Sequence, residues 1–81
     1  MSMEDEMKKY QLELEAAMEA ALKSISDAGI KIKSKGYMAE NILVINFRNS
    51  DDFNKGLTIA TSIENANISN FPTKKRIAII F

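Results

Sequence analysis

The stretch Ile42–Phe47 reads Ile-Leu-Val-Ile-Asn-Phe, five apolar residues in six, with no alternation between apolar and polar positions. Successive side chains on a β-strand point to opposite faces of the sheet, so a strand of this composition needs cover on both sides. Asn41 ahead of it and Arg48, Asn49 and Ser50 behind it limit its length, since Asn and Ser favour turns. Whatever fold the chain adopts has to arrange its other elements around this central strand.

The largest of those elements precedes it. Residues 3–28 are rich in Glu, Ala, Leu, Met and Lys, all strong helix formers, with no Gly or Pro among them. Met3, Met7, Tyr10, Leu14, Ala17, Ala21 and Ala28 recur at helical steps, and Leu14, Met18, Leu22 and Ile25 form a second stripe beside them. Together they make an apolar face wide enough to lie on a sheet. Acids cluster at the helix start, where they suit its dipole, and Gly29 is placed to end it as the residue after the cap.

Residues 30–35 alternate, with Ile30, Ile32 and Ser34 on one face and Lys31, Lys33 and Lys35 on the other. This predicts a half-buried strand, joined through a short connection at residues 36–41 to the central strand as an antiparallel hairpin. Residues 50–66 have two readings. As a helix, Ser50 is the N-cap, Asp51 and Asp52 lie at the positive end of the dipole, and Phe53, Gly56, Leu57, Ala60 and Ile63 share a face. As a strand, residues 57–63 are rich in β-branched side chains. The cap and the longer periodic window favour the helix, despite a glycine that costs about 1 kcal/mol inside one. Residues 65–73 read as a loop, and residues 74–81 as a closing strand with Ile77, Ile79 and Phe81 facing one way and Ala78 and Ile80 the other.

The expected fold is thus α+β, one small two-layer domain over residues 1–81, in the order α-β-β-α-β with a three-stranded sheet. The second helix would act as a right-handed crossover to a third strand parallel to the central one. An α-β-β-β-β meander is the alternative.

At 81 residues the core is small, and domains of this size commonly need a staple or a partner subunit. The chain has no cysteine for disulfides, and without cysteine or histidine it lacks the usual zinc ligands. No metal or cofactor is expected, and oligomerisation is the stabilising device left. The opening residues are acidic, unlike a secretory signal, and no apolar run approaches the ~20 residues of a membrane span. The expectation is a cytoplasmic protein with no membrane attachment.

Chemistry is equally constrained. Without His or Cys, the common acid–base and nucleophile–base pairs are missing, and the isolated glycines form no phosphate loop. No enzyme activity is expected. The net charge is zero but divided: residues 1–28 carry seven acids and three lysines, and the remainder eight bases and four acids. Lys31, Lys33, Lys35, Lys74, Lys75 and Arg76 form the candidate nucleic-acid-binding set if their strands lie close together.

Geometry supplies the leading functional expectation. A helix of about 26 residues spans ~39 Å, whereas a strand of about six spans only ~20 Å. The helix must overhang the sheet and carry Met3, Met7 and Tyr10, with Leu14 at the boundary, as a projecting apolar stripe, which is an interaction surface. The sequence therefore reads first as a non-enzymatic protein-interaction module binding a protein partner, itself included as a homodimer or higher oligomer. Small phage or mobile-element inhibitors and adaptors of host proteins are the class analogy. A small nucleic-acid-binding protein using the lysine-lined strands is the alternative.

Overall fold

The computed structural model describes residues 3–81, with side chains from residue 5 onward. Its elements are α1 (Met3–Asp27), β1 (Ile32–Ala39), β2 (Ile42–Phe47), α2 (Ser50–Thr61), β3 (Asn67–Phe71), a 3-10 turn (Pro72–Lys74) and β4 (Arg76–Ile80). The fold is α+β, with a four-stranded antiparallel sheet in the order β1-β2-β4-β3.

The expected three-stranded sheet is corrected by β3, which occupies the segment read as a loop. Its sequence, Asn-Ile-Ser-Asn-Phe, is mostly polar because it is an edge strand with little to bury, and only Ile68 packs against the core. The extra strand reverses the chain once more, so β4 runs antiparallel to β2 and the expected parallel crossover does not form. The meander alternative is overturned too, because residues 50–61 are helical. The order αββ occurs twice, and the two units meet along β2 and β4.

Local signals explain the element ends. Gly29 adopts φ +78°, and the N–H of Gly29 and Ile30 donate to Ser26 O and Ile25 O, closing α1. The N-cap of α2 is Asn49 rather than Ser50: its Oδ1 accepts from the Asp52 N–H at 2.8 Å, while its Nδ2 donates to Asp52 Oδ2 at 3.2 Å. The first of these bonds satisfies one of the backbone donors that the first turn leaves free, and the second holds the two side chains together. Gly56 is buried against Phe47, where the ring fills the space of a side chain.

Both helices cover one face. Leu14, Met18, Ala21 and Ile25 of α1 meet Phe53 and Ala60 of α2 over Leu43, Ile45 and Phe47 of β2 and Ile77 and Ile79 of β4. Ile42 and Val44, with Ala78 and Ile80 in register beside them, lie on the opposite face, which no described element covers. The central strand therefore receives its second layer only in part. Val44 and Ala78, paired with each other across the two central strands, are nevertheless buried.

The hairpin differs from the expected one. β1 extends through Gly36, Tyr37, Met38 and Ala39, into the expected connection, leaving Glu40 and Asn41 as the turn. Register shifts between Ile32 and Ser34 and between Tyr37 and Ala39 break the simple alternation. A bulge inserts one residue and flips the faces beyond it. Lys35 consequently pairs with Ile45 on the helix side, while Ser34 pairs with Asn46 on the open side and accepts from its Nδ2 at 3.1 Å.

Candidate interaction surface

α1 has 25 residues, a length of ~37 Å, against ~20 Å for the six-residue β2. The molecule measures 47 × 22 × 19 Å, its long axis set by this mismatch. Residues 5–13 are all exposed, and α1 first reaches the core at Leu14. Met7 and Tyr10, 63% and 56% exposed, continue the stripe of Leu14, Met18, Ala21 and Ile25 past the sheet at helical spacing.

The four residues expected on the partner surface thus separate. Met7 and Tyr10 are exposed on the overhang; the side chain of Met3 lies outside the described residues. Leu14 is corrected to a core residue, 8% exposed and packed in the main cluster.

The extended β1–β2 hairpin creates a surface the sequence reading missed. Gln11, Glu15, Met18 and Glu19 of α1 face Tyr37, Met38 and Glu40 of the hairpin across an open groove floored by Leu14. An adjoining depression continues it along the helix through Glu6, Met7 and Tyr10. Tyr37 and Met38 are 62% and 75% exposed, although they are large apolar residues. Two such neighbours directly before the turn were the available signal, hidden by their being read as connection. The four ionisable carboxylates along the groove, Glu6, Glu15, Glu19 and Glu40, are joined by no lysine or arginine. The site is an apolar channel with an acidic rim.

The candidate basic set is gathered in part. Lys31 and Lys33 flank the first residue of β1, and Lys74 and Lys75 lead from the 3-10 turn into β4 at Arg76, both beside the Phe47 end of β2. Arg48 joins them there, a contributor the sequence reading omitted. Lys35 lies further along β1, displaced by the bulge. Arg76 is partly committed, since its Nε donates to Asn46 Oδ1 at 2.7 Å. Phe71 pairs with Arg76 across β3 and β4 and is 45% exposed, so an aromatic ring stands beside the cations.

Among the described residues, no group of three or more Asp, Glu, His or Cys is arranged to hold a metal ion, and no helix is long and apolar enough to cross a membrane. Comparison with protein families, with curated proteins and with solved structures finds no match for the chain.

Proposed function

We propose that this chain is a cytoplasmic, non-enzymatic protein-interaction module that acts by stoichiometric binding, either of a further copy of itself or of a host protein that it inhibits or adapts. The observation that carries the reading is the overhang of α1, on which the stripe that builds the core continues into solvent as Met7 and Tyr10, in a depression that adjoins the groove lined by Tyr37 and Met38. Exposed apolar residues aligned on one surface point to a protein partner, and flexible methionines suit adaptable contacts. An amphipathic segment laid in a groove is a common mode of such recognition.

The test is a pull-down from the native host with the wild-type chain and with the double variant Met7→Lys, Tyr10→Glu. A protein recovered by the wild type in fixed ratio and lost with the variant supports the reading. Equal recovery by both, or none by either, rejects it.

A second reading has one observation in its favour, the gathering of Lys31, Lys33, Arg48, Lys74, Lys75 and Arg76 at one end of the sheet beside the Phe71 ring. Such an arrangement suits a single strand, with cations on the phosphates and a base stacked on the ring. A gel shift across a salt series tests it, with log affinity falling about 0.7 per log salt for each phosphate contact on a single strand. No shift at low salt removes it.

A further inference from the structure

Because the two αββ units meet along β2 and β4, the two hairpin turns fall at opposite ends of the sheet. The Glu40–Asn41 turn is tied to the chain end, where Phe81 N–H donates to Asn41 O at 2.9 Å. The 3-10 turn lies beside the far end of β2, where Phe47 N–H donates to Lys75 O at 2.8 Å. The two tips are opposite in charge. Glu40 stands at the acid-rimmed groove; Arg48, Lys74 and Lys75 surround the other turn.

Exposed apolar groups divide the same way. Met7, Tyr10, Tyr37 and Met38 belong to the acidic end, and Phe71 to the basic turn. The groove lining carries glutamates and no lysine or arginine, whereas Arg48, Lys74 and Lys75 at the far turn outnumber Asp51 and Asp52 of the nearby first turn of α2, so each end has a local excess of the sign that complements the other. A single molecule cannot bring them together, because they are separated along its length.

We propose that copies of this chain associate head to tail, the basic turn of one copy, with Phe71 and Lys74, seated in the groove between α1 and the β1–β2 hairpin of the next. The proposal rests on the reading that the overhang binds protein, and it names a second copy as the occupant. Groove against groove and turn against turn both oppose like charges, so the heterologous contact is the one electrostatics selects. Seated in one direction, such a contact leaves one free groove and one free turn in every pair and growth continues unless a ring closes, two antiparallel copies with both turns seated being the smallest closed case. A turn in a groove buries little area, which puts the contact in the weak class below about 1,200 Å².

Light scattering on the purified chain tests this, from about 10 μM to about 1 mM, the span over which weak contacts titrate. Measurements are made at about 20 mM and about 500 mM salt, where the Debye length falls from on the order of 20 Å to on the order of 4 Å. The wild-type mass is expected to climb to two chains or beyond at low salt and return to one at high salt. Glu15→Lys with Glu40→Lys reverses the groove; Arg48→Glu with Lys74→Glu reverses the turn and leaves Lys75, whose φ is +53°, untouched. Each variant, its fold checked by circular dichroism, stays monomeric alone, and their equimolar mixture regains association. A wild type that remains monomeric at low salt, one that stops at two chains whatever the salt, or a variant that still associates alone overturns the proposal. The wild-type series decides the matter if a variant fails to fold. A monomeric wild type that still captures a different protein through Met7 and Tyr10 removes this inference and leaves the binding function standing.

Discussion

Replacing Gly56 by alanine separates helix propensity from packing in this fold. In a solvent-exposed helix the change gains about 1 kcal/mol, because glycine loses more backbone freedom on folding. Here the added Cβ would overlap Phe47 Cζ and stand 2.7 Å from Cε1 and 3.2 Å from Cε2. The ring has nowhere to retreat: Phe47 is buried and meets Phe53 edge-on, with centroids 6.3 Å apart and planes at 74°. Overpacking a filled core costs about 1–3 kcal/mol, and overlap with several ring atoms puts this site at the upper end. Subtracting the helix gain of about 1 leaves a net loss of about 2 kcal/mol. At ~4–8 °C per kcal/mol for a domain of this size, the melting temperature should fall by ~8–16 °C. In a Phe47→Leu background the same replacement should be neutral or stabilising, and the difference between the two backgrounds is the coupling energy of the contact. Thermal unfolding by circular dichroism measures both. A Gly56→Ala chain that melts at or above the wild-type temperature refutes the packing of α2 on β2 described here.

Two further predictions concern the boundary of the overhang and the start of α2. Leu14→Ala should cost about 2–5 kcal/mol in urea unfolding, as a core deletion, whereas Met7→Lys with Tyr10→Glu should stay within about 0.5 kcal/mol per site. Equal effects would mean that α1 enters the core earlier than Leu14. Asn49→Ala removes the reciprocal cap with Asp52 and should cost about 0.5–2 kcal/mol, while Ser50→Ala should be nearly silent; the reverse order would return the cap to Ser50.

Much of the architecture was legible because the signals were local. The helical stripe of α1, the left-handed cap at Gly29, the central position of β2 and the two faces of β4 each follow from residues near one another in the chain. The misses arose where tertiary pairing decided. Asn67–Phe71 has the composition of a loop and becomes a strand because β4 offers it a free edge. The lysine alternation of β1 predicted faces correctly only up to its first register shift, which no residue type announces. The overhang was visible as an arithmetic mismatch of lengths, but the groove beside it was not, because it requires Tyr37 and Met38 to lie along α1. The composition of β2 called for cover on both faces, and one face stays open because both helices pack on the same side of the sheet.

Site-specific photo-crosslinking in the native host tests the central claim most directly. A photoreactive residue replaces Tyr10 on the overhang stripe or, as a control, Lys23 on the outer side of α1, where no core contact is made. The account predicts one discrete protein adduct from position 10, a second copy of this chain or a single partner, and none from position 23. Adducts of equal yield from both positions, or none from position 10, would contradict it.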